Sequence, residues 1–173
     1  MTDLATSRKI QTELEALSWP AHWRLWIYVS GRPLSDEQVH QTQSSFTQFQ
    51  TSWSAHGKAL KSDMAFLQNQ VLLIAVDEDH AKTTGCSLDK LTQFVAHLEA
   101  NMKTDFLDRS KFYVYDEENT SWRSLGRNSF KKAYQTGEIN ADSVVLDTLV
   151  DRAENMEKTL IKALSSSWHA KII

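Results

Sequence analysis

The first half of the chain alternates between helical and strand-like spacing of its apolar residues. Apolar positions at helical spacing, with charges between them, predict a first helix over about residues 3–17. Residues 22–30 place aromatic and β-branched side chains on alternating faces, which predicts a strand covered on both faces. Ser35 followed by Gln38 has the pattern of a capping box, and the apolar stripe after it predicts one long helix that ends at His56 and Gly57.

The middle of the chain predicts a hairpin followed by a second long helix. A weak strand pattern over residues 58–66 and a continuous apolar run over 71–76 flank a polar turn. Helical spacing then extends from about Ser87 to Met102, and an aromatic strand covers 111–115. The order β-α-β-β-α-β predicts an α+β fold with a ferredoxin-like core, in which two helices pack on one face of an antiparallel sheet.

The length and the pattern together predict one domain with additions at both ends. The 173 residues fit a single domain. We expect the core over about residues 22–116, after an N-terminal helix over about 3–17 and before a C-terminal α/β extension over about 117–173. Within that extension the pattern predicts two short strands, at 121–125 and 143–146. It also predicts a short helix at 129–135 and a final helix at 147–164.

Composition removes several classes of function. The net charge of −3 provides no basic surface of the kind that nucleic-acid binding requires, so no nucleic-acid partner is expected. No secretory signal is evident at the N-terminus and no apolar run approaches the length of a membrane span, so we expect a cytoplasmic protein without membrane contact. The single cysteine, Cys86, excludes an internal disulfide and a cysteine-rich zinc site. We predict neither a cofactor nor a metal.

A ferredoxin-like sheet would bring several polar residues to one of its edges. The residues expected there are His22, Arg24, His56, Gly57, Asp77, Glu78, Asp79, His80, Gly85, Cys86, Ser87, Asp89, Tyr115 and Asp116. A thiol at a helix N-terminus is more easily ionised because it lies at the positive end of the helix dipole. The placement therefore predicts, as an alternative function, a thiol-dependent enzyme in which Cys86 is the nucleophile and His56 is the general base, held by Asp77 or Asp116.

Two further interpretations of this edge stay open. The free amides at the helix start after Gly85 would suit a phosphate or carboxylate ligand, although Asp89 already supplies a negative charge there and Ser87 or Thr84 acting as the helix cap explains the same pattern. The candidate ligand-binding residues of the edge are Gly57, Asp77, Gly85, Ser87 and Asp89. The run from Asp77 to His80 contains the residue types of a metal site, but carboxylates after a strand are also common in solvated loops.

Several short motifs resemble a family of small uncharacterised bacterial proteins, some of which carry the label "ABC transporter ATPase". The family has an Arg-x-Trp-Ile-Tyr strand, a Trp-x-x-His-Gly helix end and a Gly-Cys-Ser-Ile-Asp helix start. Here the corresponding segments are RLWIY at 24–28, Trp53 with His56 and Gly57, and GCSLD at 85–89, where Leu88 replaces isoleucine. The resemblance implies no catalytic residues.

The ATPase label has no support in the residues. A nucleotide-binding P-loop requires Gly-x-x-x-x-Gly-Lys-[Ser/Thr]. The only Gly-Lys pair is Gly57 and Lys58, which is followed by Ala59 and has Ser52 at the position of the first glycine. The residues therefore predict a module that binds a small ligand or a protein, with no ATPase activity of its own, and the resemblance implies a bacterial source. A second copy of the chain or an unknown protein is the expected partner.

Overall fold

A computed structural model describes the backbone of residues 4–173 and the side chains of residues 8–173. The five helices of this part are α1 Leu4–Leu17, α2 Asp36–Gln50, α3 Gly85–Met102, α4 Arg127–Gln135 and α5 Ala153–Thr159. The nine strands are β1 Arg24–Val29, β2 Ser54–Ala55, β3 Lys58–Ala59, β4 Ser62–Leu67, β5 Val71–Val76, β6 Phe112–Asp116, β7 Ser121–Leu125, β8 Val144–Leu146 and β9 Ile161–Ala163. Two 3₁₀ turns follow β9, at Leu164–Ser166 and Trp168–Lys171. The mixture of helices and antiparallel sheets confirms the predicted α+β class. Residue 3, where the first helix was predicted to begin, lies outside the described residues.

The first sheet has three antiparallel strands in the order β1-β5-β4. β5 is central, and all six of its residues are buried, which explains why its sequence is continuously apolar and does not alternate. Its pairing with β1 runs from Arg24 opposite Val76 to Val29 opposite Val71. The N-terminal end of β1, the N-terminal end of β4 and the C-terminal end of β5 therefore lie at the same edge of this sheet.

The second sheet contains the strand that the ferredoxin-like prediction placed beside β1. β6 pairs with β7 and β8 in a four-stranded sheet of order β7-β6-β8-β9. Of the four strands predicted for the ferredoxin-like core, only β1, β4 and β5 therefore lie in one sheet. The open side of β1 is contacted instead by the segment before α5, where the Leu25 amide donates to the Asp151 carbonyl at 2.9 Å. β6 has a short-range partner in β7 and a further partner in β8, and these pairings satisfy its backbone.

The two faces of the first sheet pack against different elements. Successive side chains of a strand point to opposite faces of the sheet. In β5 this directs Leu72, Ile74 and Val76 towards α2 and α3, where they join a cluster with Leu91 and Val95. This confirms that two helices cover one face of the sheet. The opposite face packs against α1 and the second sheet, in a cluster that includes Ile10, Leu14, Leu73, Tyr113, Trp122 and Leu146. On the far side of the second sheet, α4 buries Phe130 and Ala133.

The helix that was predicted to end at His56 and Gly57 is shorter, which corrects that boundary. α2 begins at the predicted capping box of Ser35 and Gln38 but ends at Gln50. The residues after it form the β2–β3 hairpin. His56 and Gly57 are its two turn residues, with φ angles of 50° and 76°. Positive φ at both central positions is the geometry of a type I′ hairpin turn.

The final helix predicted over residues 147–164 is also wrong in extent. Only Ala153–Thr159 is helical, and Ile161–Ala163 pairs with β8 as an edge strand. Leu149, which lies in the segment that approaches β1, is 69% exposed. No helix in the described part of the chain has both the length and the apolar composition that are needed to cross a membrane.

Candidate functional site

The β2–β3 hairpin is held against the start of α3 by a buried tryptophan. Trp53 is 1% exposed, and its indole Nε1–H donates to the carbonyl oxygen of Ser87 at 2.9 Å. On the outer side of the hairpin, the Lys58 ammonium donates to the carbonyl oxygen of His80. These two bonds join the hairpin, the segment after β5 and the start of α3. We call residues 22–24, 54–61, 77–80 and 84–89 the polar edge.

The first turn of α3 is closed by its own side chains. Thr84 is the N-cap, and its hydroxyl accepts the Ser87 amide at 3.2 Å. The Ser87 hydroxyl accepts the Thr84 amide at 2.7 Å and donates to the Thr84 carbonyl at 2.9 Å. The capping interpretation is therefore confirmed. Since Ser87 is fully buried and its hydroxyl is occupied, it does not face a ligand.

The structure brings Cys86 and His56 to the same end of the sheet but does not pair them. Both are exposed, Cys86 in the first turn of α3 and His56 at the tip of the hairpin. Among the described side chains, no hydrogen bond links the two. Asp77, proposed as a partner of His56, contacts His22 and Lys61 instead. Gly57, Gly85 and Asp89 are also exposed on the polar edge. The thiol-dependent enzyme stays a prediction.

Asp77 is the centre of the best-connected group on the polar edge. His22 Nε2 lies 3.0 Å from Asp77 Oδ1 and 3.5 Å from Asp79 Oδ2. Lys61 Nζ lies 3.3 Å from the other oxygen of Asp77. The amides of Asp79 and His80 donate to Asp77 Oδ1 at 3.2 and 3.3 Å. The carboxylate of Asp77 is thus fixed from several directions, while His22 and Asp79 are open to solvent.

The electrostatics of this group favour a permanent negative charge on Asp77. Burial by itself would raise its pKa, but the hydrogen bonds from His22, Lys61 and the His80 amide, together with the Lys61 charge, lower the pKa to about 2. The neighbouring Glu78 behaves similarly, because donors on Thr83 and the charge of Arg24 outweigh burial and lower its pKa. Both carboxylates are therefore ionised at neutral pH.

Sequence reasoning placed His22 on this edge but named no partner for it, and it overlooked Lys61. The signal that would have connected them is the strand pairing. Because β1 and β4 both run antiparallel to β5, the residues just before β1 and β4 meet the residues just after β5. His22 and Lys61 are those residues, and Asp77 is the first residue after β5.

Tyr115 and Asp116 were expected on the same edge, and this placement is wrong. Tyr115 is paired with Trp122, whose amide donates to Gln70 Oε1 at 2.8 Å. Gln70 follows the turn between β4 and β5, at the end of the first sheet opposite to Asp77. Asp116 instead accepts the Asn119 amide at 3.1 Å within the turn that leads to β7. The displacement follows from the location of β6 in the second sheet.

We expect Cys86 to react with 5,5′-dithiobis(2-nitrobenzoic acid) in the folded protein, because its side chain is exposed. We further expect His56→Ala to leave the rate within about twofold of the unchanged protein, since no hydrogen bond connects the two residues. Release of the coloured thiolate measures the rate, and His97→Ala, at an exposed histidine later in α3, is the matched control. A slowing of about tenfold in His56→Ala alone would instead support the enzyme in which His56 activates Cys86.

Comparisons with protein-family models, with curated proteins and with solved structures find no match for this chain. The function is therefore inferred from the residues and geometry of the chain itself.

Proposed function

We propose that the chain is a small-ligand-binding module of the bacterial cytoplasm, without ATPase activity of its own, and that the ligand binds at the polar edge. One observation supports this proposal most strongly. Four separate segments of the chain meet at this edge, and a buried contact of Trp53 and part-buried contacts of Asp77 fix their positions. Solvent-facing polar groups on a fixed framework are what a binding site requires.

The exposed groups of the polar edge include positive and negative charges, and both hydrogen-bond donors and acceptors. Lys58 and Lys61 supply ammonium groups, Asp79 supplies a carboxylate, and His22 supplies an imidazole, all on the exposed side of the polar edge. Their side chains do not contribute to the hydrophobic core. A purely structural role would not require this concentration of exposed polar groups beside a buried, ionised aspartate.

The geometry around Lys58 supports the absence of ATPase activity. In a P-loop the glycine and lysine belong to a loop that joins a strand to a helix N-terminus, where backbone amides surround the phosphates. Gly57 and Lys58 instead belong to the tight turn and first residue of the β2–β3 hairpin, and the Lys58 ammonium binds the His80 carbonyl.

We expect one or more members of a defined panel to perturb the backbone amides of the polar edge in ¹H–¹⁵N NMR spectra. The panel contains phosphate, citrate, glutathione, ADP and ATP, each added at millimolar concentration in the presence of EDTA. The expected perturbations fall on amides within residues 56–61, 78–80 and 85–89, because most of these residues are exposed and the bonds of Trp53 and Lys58 hold the segments together. No phosphate release from ATP above the buffer rate is expected in a parallel assay.

Paired lysine variants make this test specific. Lys58→Met should weaken binding of any anionic member that perturbs the polar edge, whereas Lys132→Met, on the exposed side of α4, should not. Perturbations confined to the second sheet, or none from the whole panel, would contradict the proposal. Concentration-dependent changes at the same amides without any ligand would instead indicate association with a second copy of the chain.

A further inference from the structure

His22, Asp77 and Asp79 place three metal-binding atoms around one point of the polar edge. Their donor atoms, one imidazole nitrogen and two carboxylate oxygens, all lie within 4.8 Å of one another. His22 comes from the segment before β1, while the two aspartates come from the turn after β5. The antiparallel pairing of β1 with β5 is what brings these two segments together.

The two separations that involve His22 are close to those expected between ligands of one ion, and the two carboxylate oxygens lie within 4.8 Å of each other. In a tetrahedral Zn²⁺ site with bonds of about 2.0–2.2 Å, neighbouring ligand atoms are about 3.3 Å apart. His22 Nε2 lies 3.0 Å from Asp77 Oδ1 and 3.5 Å from Asp79 Oδ2.

The surroundings of Asp77 resemble an outer shell that orients a metal ligand. Lys61 Nζ lies 3.3 Å from Asp77 Oδ2, and two backbone amides donate to Oδ1. Such contacts fix the direction of a ligating carboxylate. The side chain of Asp77 is 11% exposed, whereas those of His22 and Asp79 are 46% and 82% exposed. Asp77 is therefore held in place by its surroundings, while His22 and Asp79 are exposed and leave the solvent side open for a fourth ligand.

We propose that His22, Asp77 and Asp79 bind one divalent transition-metal ion, and that Zn²⁺ suits this site best. One nitrogen and two oxygen donors, with an open fourth position, form the donor set of a solvent-accessible zinc site. Two carboxylates neutralise the charge of the ion, and the neutral imidazole supplies the third bond. This inference rests on the proposed function, because it names the class of ligand bound at the polar edge.

We expect the EDTA-treated and desalted full chain to bind one Zn²⁺ per molecule in isothermal titration calorimetry at neutral pH. His22→Gln and Asp79→Asn should each weaken that binding by about tenfold or more, since each removes one of three ligands. Both side chains are exposed, so neither change should affect folding, which circular dichroism without metal will verify. Co²⁺ supplies a second readout, because a four-coordinate site gives visible absorption bands that His22→Gln should abolish.

Two matched variants separate this site from general metal binding by surface residues. His97→Gln and Asp142→Asn alter an exposed histidine on α3 and an exposed aspartate before β8, and both should retain full affinity. Binding that is absent, or that is unchanged in His22→Gln and Asp79→Asn, would overturn the metal site. Equal weakening in these two control variants would also overturn it. The NMR panel contains EDTA, so binding of its members would still support the polar edge if the metal site failed.

Discussion

Gln70→Ala is expected to lower the free energy of unfolding by about 3 kcal/mol or more, since it leaves up to three buried backbone groups without partners. Gln70 is 1% exposed. Its Nε2 donates to the carbonyls of Ser30 and Trp122 at 3.0 and 2.7 Å, and its Oε1 accepts the Trp122 amide at 2.8 Å. These bonds connect the end of β1 to β7, and so the first sheet to the second.

The unfolding of Gln70→Ala can be followed by tryptophan fluorescence in urea, with Gln93→Ala as the control. Gln93 is exposed on α3, and its replacement should change stability by no more than about 0.5 kcal/mol. Gln70→Glu is the second variant. It keeps an acceptor for the Trp122 amide but places a carboxylate against two carbonyl oxygens, so it should also destabilise the protein. A loss below about 1 kcal/mol in Gln70→Ala would show that other contacts connect the sheets.

Gln70 and the polar edge lie at opposite ends of the first sheet. Effects of changes at separated sites with no shared partners usually add. Gln70→Ala should therefore reduce stability, while the Zn²⁺ affinity of its folded fraction should equal that of the unchanged protein. Loss of stability and loss of binding can thus be distinguished from each other in this molecule.

The elements that could be predicted from the sequence are those with strong local signals. The capping box of Ser35 and Gln38 marks the start of α2, and the uninterrupted apolar run of Val71–Val76 marks the central strand. The turn between β4 and β5 was also predicted, and Gln68 and Asn69 in it adopt left-handed backbone angles of 51° and 52°. In each case the residues that specify the structure are close together in the chain.

The end of α2 was mispredicted because a longer helix and a helix followed by a hairpin give the same spacing of aromatic residues here. Phe46, Phe49 and Trp53 follow one another at intervals of three and four residues, which is helical spacing. In the structure Trp53 lies beyond the helix, yet its ring still packs beside Phe49, with the ring centres 4.9 Å apart. The distinguishing signal was His56 followed by Gly57, since a two-residue turn with glycine second is also typical of a hairpin.

The strand order and the contacts of the candidate site depend on long-range pairing, which periodicity does not encode. An apolar strand such as β6 can pair beside β1 or belong to a second sheet. Here β6 pairs with β8, and the segment before α5 occupies the side of β1, and both of these partners come late in the chain. His22 and Asp77 are 55 residues apart, and only the register of β1 on β5 brings them into contact. Sequence reasoning could therefore identify the edge but not the pairs within it.

Trp53→Ala should destabilise the protein by about 3–5 kcal/mol, as expected when a fully buried tryptophan is removed from a packed core. The ring packs edge-on against Phe46, with centres 6.5 Å apart, and beside Phe49. Its loss also leaves the Ser87 carbonyl without the indole donor. Urea unfolding measures the stability, followed by circular dichroism because the variant alters the fluorescence.

Trp53→Phe separates the hydrogen bond from the packing. It retains an aromatic ring but removes the bond to Ser87, for which we expect a loss of about 1 kcal/mol plus a smaller packing term. The effect should be local, because this bond holds the β2–β3 hairpin against α3. Amide hydrogen exchange within residues 54–60 should accelerate, whereas exchange within β5 should change only as far as global stability does.

The control is Trp19→Phe, which removes an exposed indole bond to Asp63 and should leave the hairpin unaffected. If Trp53→Phe leaves exchange in the hairpin unchanged, other contacts hold the hairpin, and the framework proposed for the polar edge loses its main support.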